Sequence, residues 1–375
     1  MKHAHDVPRP PVTERALLVA HASRGGPAFE RSLDELALLA DTAGARVLGR
    51  VTQRRGTVHP ATFIGRGKVD ELKARVADSG AEMAIFDDDL SPAQVRNLEK
   101  AIDCKVVDRS ELILDIFSRR ARTRESRLQV ELAQLEYQLP RLTGMWKHLE
   151  RQAGGIGTRG PGETQLETDR RLVRERIAHL KRALEAVTRE RETQRRRRRR
   201  EFRVALVGYT NAGKSTLFNA LTRSTVFVEN RLFATLDATT RQMVSPDRRM
   251  TLLTDTVGFI RKLPHHLVAS FRSTLLEVIE ADLLLHVVNI ADPDREQQIR
   301  AVETVLEELM DEPRPMTMVF NQCDRLEDPD EALGLKASVP GAHVISARTG
   351  EGLRHLREYL WSEAAAHARP QVRAS

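Results

Sequence analysis

Gly208, Gly213, Lys214 and Ser215 fall in the spacing G-x-x-x-x-G-K-S within the run Gly208-Tyr-Thr-Asn-Ala-Gly-Lys-Ser215. These residue types at this spacing suit a polyphosphate. The glycines let the chain bend so that backbone N–H groups of Gly208, Asn211, Ala212 and Gly213 converge on phosphate oxygens. The N-terminus of a following helix adds partial positive charge, and Thr216 lies in its first turn. Lys214 is placed to reach the β- and γ-phosphates, and the Ser215 hydroxyl to ligate Mg²⁺.

Further candidates follow in order. The stretch 230–241 is polar and has no clear period. A segment of this kind supplies one threonine whose hydroxyl and carbonyl meet Mg²⁺ and the γ-phosphate. Thr235 is the first choice and Thr239 the second, because spacing alone does not decide between them. Next comes Asp255-Thr-Val-Gly258, in which Asp255 holds Mg²⁺ through water and the Gly258 N–H senses the γ-phosphate. Lys214, Thr235 and Gly258 are therefore the expected catalytic set, and Ser215, Thr235 and Asp255 the expected metal set.

Phe259 stands where many such proteins carry a water-orienting Gln, and His265 and His266 read as ordinary surface histidines. Phosphoryl transfer depends on positioning and charge stabilisation, so slow intrinsic turnover is expected until a partner completes the site. Asn211 is a candidate ligand for a monovalent cation, K⁺, that would supply the missing charge.

Base choice is read from Asn321-Gln-Cys-Asp324, which is similar to the guanine-binding Asn-Lys-x-Asp. The Asp324 carboxylate accepts both N–H donors of guanine's Watson–Crick edge, which adenine lacks. Gln322 replaces the Lys whose stem lies across the base, a change expected to weaken nucleotide affinity and relax the preference for GTP. Ser346-Ala347-Arg348 is similar to the last motif of the series, where a backbone N–H meets the guanine oxygen. Motifs in this order favour GTP over ATP as substrate, with GDP as product.

Regular elements must hold these residues. Val204-Ala-Leu-Val207 is a strand and Thr216–Leu221 opens a helix. Strands at Thr251–Thr254, Met316–Phe320 and Ala342–Ile345 each lead into a motif. This is the alternation of a Ras-like α/β domain. Upstream, strands at Ala16–Ala20, Arg46–Val51, Ala84–Phe86 and Lys105–Val107 alternate with helices at Phe29–Ala43, Val69–Ala77 and Ser91–Ile102. They predict a small α/β domain with a largely parallel sheet, Ser91 capping its third helix. Gly65-Arg-Gly-Lys68 reads as a helix-entry loop.

Between the two domains Leu128, Leu132, Leu135, Leu139 and Leu142 fall at steps of four and three. Val173, Ile177, Leu180, Leu184 and Val187 repeat the steps. Two such seams predict an antiparallel helical hairpin with arms of roughly 30 residues, on the order of 45 Å long. Its tip, from Pro140 through Trp146 and His148 to the Gly-dense 154–163, offers backbone N–H groups, basic side chains and a stacking ring suited to RNA. Arg195–Arg200 adds six consecutive arginines. The expected domains are 1–109 (α/β), 110–200 (hairpin and Arg-rich linker) and 201–365 (nucleotide domain), with a tail at 366–375.

Bulk composition agrees with this division. The 375 residues hold 60 Lys+Arg against 53 Asp+Glu, a net charge of +7, which favours an anionic partner. Cys104 and Cys323 form no CxxC pattern, so neither a disulfide framework nor a zinc site is expected. No apolar run approaches the roughly 20 residues of a membrane span, and residues 1–8 hold no apolar signal core. The expectation is a cytoplasmic chain, monomeric when free.

The chain resembles the HflX family of GTPases, relatives of Obg, over roughly residues 15 to 360. The resemblance rests on Thr62-Phe-Ile-Gly-Arg-Gly-Lys-Val, Phe86-Asp-Asp-Asp-Leu-Ser-Pro-Ala-Gln and Gln129-Val-Glu-Leu-Ala-Gln-Leu-Glu-Tyr. It rests equally on Gly154-Gly-Ile-Gly-Thr-Arg-Gly-Pro-Gly-Glu-Thr-Gln-Leu-Glu and Gly208-Tyr-Thr-Asn-Ala-Gly-Lys-Ser-Thr-Leu-Phe-Asn. It implies binding to the large ribosomal subunit and its rRNA, with the hairpin tip near the peptidyl transferase centre. It also implies splitting or rescue of stalled ribosomes under stress, with GTP hydrolysis stimulated by that subunit. By analogy with Obg relatives it makes Thr235, in Phe-Ala-Thr-Leu, the switch threonine. Ala238 and Asn289 stand where the family often has Pro and Asp. Two other readings carry their own residues. Gln322 with the arginine run would suit an NTP-dependent RNA remodeller, and Phe259 a nucleotide-gated binding module.

Overall fold

The computed structural model describes residues 14–22, 26–54, 56–143, 161–196, 201–222, 232–262, 264, 275–310 and 312–368. The chain divides into two compact units, Met1–Ile116 with Tyr137–Thr168, and Phe117–Glu136 with Asp169–Ser375.

The first unit begins β1 (Arg15–Ala22), α1 (Pro27–Thr42), β2 (Arg46–Arg54), α2 (Arg66–Ser79), β3 (Met83–Phe86), α3 (Pro92–Ile102) and β4 (Lys105–Val107). Strand order is β2-β1-β3-β4 and every pairing is parallel. Ala16–Ala20 is buried without alternation, as a strand covered on both faces requires. Leu17, Val19, Ala84 and Phe86 pack with Leu72 of α2 and Leu98 of α3. Ser91 caps α3 as the sequence predicts. Its hydroxyl accepts the Gln94 N–H, and the Gln94 side chain accepts the Ser91 N–H. Gly65 is the N-cap of α2, so the Gly65–Lys68 loop is a helix entry.

Helices α4 (Arg109–Arg120), α5 (Arg124–Gln138) and α6 (Pro161–Arg196) follow. The seam on α6 is as expected, with Leu180 fully buried and Val173, Ile177, Leu184 and Val187 half-buried. Ion pairs Arg176–Glu131 (2.7 Å) and Lys181–Glu136 (2.9 Å) tie α5 to α6. The first arm is shorter than expected. α5 has 15 residues and gives way to a 3₁₀ turn, Leu139–Thr143. Pro140 accounts for this, since it cannot donate to the preceding turn and its ring crowds the carbonyl four residues back. Pro161-Gly-Glu163, expected in the loop, instead opens α6, where a missing proline N–H has no cost. Trp146, His148, Gly154–Gly160 and Arg197–Arg200 lie outside the described residues.

The second unit contains β5 (Phe202–Val207), α7 (Lys214–Thr222), β6 (Thr239–Val244), β7 (Met250–Asp255) and the short α8 (Leu276–Ile279). It continues with β8 (Leu283–Asn289), α9 (Arg295–Leu309), β9 (Met316–Asn321), α10 (Pro329–Ser338), β10 (His343–Val344) and α11 (Leu353–Ala368). Sheet order is β10-β9-β8-β5-β7-β6, all parallel except β6 against β7. Val204, Leu206, Leu285 and Val287 pack beneath Leu217 and Phe218 of α7 and Leu356 and Leu360 of α11. Val288 and Phe320 meet Ile299 of α9 and Leu335 of α10 in another cluster. The phosphate loop, Asp255-to-Gly258, Asn321-to-Asp324 and Ser346-to-Arg348 leave the carboxyl ends of parallel strands, where an open α/β sheet forms its binding crevice, whereas Thr235 precedes the antiparallel β6. Among the described residues no helix is long and apolar enough to cross a membrane.

Candidate functional site

The loop after β5 closes tightly. Gly213 has φ 87°, and a Cβ there would stand 2.3 Å from the Asn321 amide nitrogen, so no side chain fits. Asn211 also takes a left-handed conformation, φ 61°, which Asn tolerates better than most residues. Its side chain is exposed and its carbonyl accepts the Gln322 amide at 2.9 Å. Lys214 curls over the loop, donating from Nζ to the Gly208 carbonyl at 3.0 Å and the Tyr209 carbonyl at 2.8 Å. Burial lowers its pKa to about 8, with the Asp255 charge opposing that shift.

Three oxygen-bearing side chains converge at the foot of α7. The Ser215 hydroxyl donates to Asp255 Oδ2 at 2.6 Å, and Thr235 Oγ1 lies 3.0 Å from Ser215 Oγ and 3.4 Å from the same carboxylate oxygen. Asp255 is fully buried, burial raises its pKa, and Oδ1 has no hydrogen-bond partner among the described residues. A buried carboxylate with a vacant lone pair and two adjacent hydroxyls fits Mg²⁺, which binds through one or two carboxylates plus substrate phosphates. No group of three or more His, Cys, Asp or Glu forms a separate metal cage among the described residues. Thr239 lies instead at the start of β6, in register with Asp255.

Gly258 sits directly above the phosphate loop. A Cβ there would meet Thr210 Cγ2 at 2.7 Å and Lys214 Nζ at 3.1 Å. The next residue fastens the two segments together. The Phe259 N–H donates to the Gly208 carbonyl at 3.1 Å, and its carbonyl accepts the Thr210 N–H at 2.8 Å. The Phe259 side chain is buried, so it anchors the segment and presents nothing to a water. The Tyr209 hydroxyl accepts the Arg261 N–H at 2.7 Å, a further fastening with no local sequence signal. His265 and His266 lie outside the described residues.

The residues expected to recognise the base are brought together at the ends of β9 and β10. The Asn321 side chain donates to the Ala212 carbonyl and accepts the Ala347 N–H, both at 2.9 Å. Asp324 accepts the Ser346 hydroxyl at 2.6 Å and the Arg348 guanidinium at 2.5 Å. These contacts, the Ser346 bond foremost, hold its pKa below the usual carboxylate value. Gln322 takes φ 68° and carries Arg325 on its side-chain oxygen at 2.8 Å. Thr216 is half-buried in the first turn of α7.

Comparison with known proteins agrees with this geometry. Family models described as "GTP-binding GTPase N-terminal", "GTP-binding GTPase Middle Region" and "50S ribosome-binding GTPase" match residues 30–118, 120–198 and 203–322. A GTPase HflX of Caldanaerobacter subterraneus subsp. tengcongensis is 53% identical over 356 residues, 93% of this chain and 80% of that protein. The chain belongs to the HflX family of GTPases. GTPase HflX of Escherichia coli is 49% identical over 342 residues, covering 89% of this chain and 80% of its own length. A Flavobacterium psychrophilum relative is 56% identical over 292 residues, 78% of this chain and 70% of that protein. The fold matches a crystal structure titled as SsGBP and GDP complex, with TM-score 0.52 and 23% identity over 95% of this chain and 100% of that one. As a member of this family the chain binds guanine nucleotide and hydrolyses GTP.

Proposed function

We propose that this HflX GTPase acts on the large ribosomal subunit, splitting or rescuing stalled ribosomes under stress, with the subunit stimulating hydrolysis. The observation that carries the reading is the match of residues 203–322 to a family described as "50S ribosome-binding GTPase", within a chain that aligns with HflX proteins over most of its length. The +7 net charge suits rRNA as partner. In this reading the protein is cytoplasmic and a monomer when free.

Ser215, Thr235 and Asp255 would hold Mg²⁺, which when bound neutralises charge on the transferring phosphoryl group. Lys214 leaves the Gly208 and Tyr209 carbonyls for the β- and γ-phosphates, and the Gly258 N–H meets the γ-phosphate. The N–H groups of Gly208, Asn211, Ala212, Gly213 and Thr216 line the cradle, with Asn211 also a candidate K⁺ ligand. Asn321, Asp324, Ser346 and Ala347 select the base. Because Phe259 is an anchor, the water-orienting function falls to the partner, so the reaction without it is expected to be slow.

The test is hydrolysis of GTP and of ATP with and without purified large subunits, with Lys214→Ala as control. Stimulation of GTP turnover by the subunit, lost in the variant, supports the reading; an unchanged rate refutes it. A second reading, an RNA remodeller of relaxed nucleotide preference, is favoured by one observation, Gln322 at the Lys position. ATP serving as well as GTP would favour it.

A further inference from the structure

The segment that carries Thr235 has two faces. Thr235 turns toward Ser215 and Asp255, whereas Phe233, two residues before it, packs on Phe117 near the end of α4, and Asp237, two residues after it, turns toward the start of α5. Asp237 Oδ2 accepts the N–H groups of Arg122 (3.0 Å) and Thr123 (3.2 Å), and Oδ1 accepts the Thr123 hydroxyl at 2.6 Å. Thr123 is itself the capping residue of α5, its hydroxyl oxygen accepting the Ser126 N–H at 3.1 Å. Asp237 thus adds a carboxylate at the positive end of that helix, supplied from more than a hundred residues away in sequence.

A second contact reinforces the first. The Phe233 ring stands edge-on to Phe117, with centroids 4.8 Å apart and planes at 81°, and both are almost fully buried. Phe233 holds φ 55°, a conformation that a bulky side chain adopts only when its surroundings impose it. Aromatic packing on one side of Thr235 and helix capping on the other fix where its hydroxyl sits.

We infer that Asp237 and Phe233 are positioning residues that dock the Thr235 segment on the start of α5 and the end of α4, coupling the helical region to the discrimination of GTP from GDP. The inference rests on the proposed role of Thr235 at the metal. Coupling of this kind is reciprocal. A load on α5 changes affinity for the triphosphate, and the triphosphate stiffens the start of α5.

The experiment compares Mg²⁺-dependent affinities for a non-hydrolysable GTP analogue and for GDP in full-length Asp237→Ala, Thr123→Val, Thr123→Ser and Thr235→Ala. Loss of a cap corresponds to about a fivefold change in an equilibrium. The analogue-to-GDP affinity ratio should fall about fivefold in Asp237→Ala and Thr123→Val, with GDP affinity kept and Thr123→Ser unchanged. The double variant Asp237→Ala/Thr123→Val should fall no further than either single change. Equal weakening of both nucleotides, or none, in these variants overturns the inference. A Thr235→Ala ratio equal to wild type would instead sink the role of Thr235 itself.

Discussion

The Asn321 amide donates to the Ala212 carbonyl at 2.9 Å and so ties the end of β9 to the phosphate loop. Its oxygen takes the Ala347 N–H at the same distance, and the side chain is almost wholly buried. One residue therefore joins the phosphate loop to both loops proposed to recognise the base. Asn321→Ala leaves a buried carbonyl and a buried N–H without partners, at about 1–3 kcal/mol each. GDP affinity should fall on the order of a hundredfold, read by titration with a fluorescent nucleotide. Wild-type affinity in a folded variant would contradict the bridging role.

Gly258 carries no side chain because Thr210 and Lys214 occupy the space above it. In Gly258→Ala the added methyl pushes either the Lys214 ammonium or the Gly258 N–H off the position from which each is proposed to meet the γ-phosphate. Turnover should drop by more than about tenfold, as a lost transition-state donor does, while GDP binding changes by less than about threefold. Single-turnover hydrolysis beside GDP titration separates the two. Parallel losses would mean that the methyl collapses the whole loop.

Gln322 reaches the Asn211 carbonyl at 2.9 Å, so the Lys-to-Gln change keeps a link between the base motif and the phosphate loop. The amide lacks the long alkyl stem that covers a base. Gln322→Lys should tighten GTP and GDP alike by about three- to tenfold through added apolar contact, on the order of 1 kcal/mol. ATP binding should stay weak if, as proposed, Asp324 sets the base. Tightening of ATP in proportion would show that position 322 does not bear on guanine preference.

The parts of the site that were legible in the sequence are those made within a few residues. The phosphate loop is one continuous string, and Asp255-to-Gly258 and Asn321-to-Asp324 each follow an apolar strand whose end fixes their direction. Long-range contacts left no local trace. Nothing near Asp237 announces Thr123, and nothing near Tyr209 announces Arg261, because each pair meets only after the sheet has formed. The misjudged arm of α5 has another cause. The heptad steps run through Leu139 and Leu142, but the backbone chemistry of Pro140 outweighs the apolar pattern and ends the helix. The burial of His286, within the apolar run of β8, left no local trace either.

That histidine lies in the middle of β8, in register with Val207 and Met318, and is about 1% exposed. Its Nδ1 has no hydrogen-bond partner among the described residues. Burial first, and the Lys214 charge second, lower its pKa to about 4. In the unfolded chain it titrates near 6.5. As pH falls below that value the unfolded state takes up a proton that the folded state refuses, so stability present at neutral pH is lost between about 6.5 and 4. The slope is about 1.4 kcal/mol per pH unit inside that window, on the order of 2 kcal/mol by pH 5. His286→Leu keeps an apolar filling without a titrating group. In nucleotide-free protein, the Tm of wild type should fall by about 4–8 °C more than that of the variant between pH 7 and pH 5. Melting curves that shift in parallel would mean that the buried ring is already protonated or partnered in the folded protein.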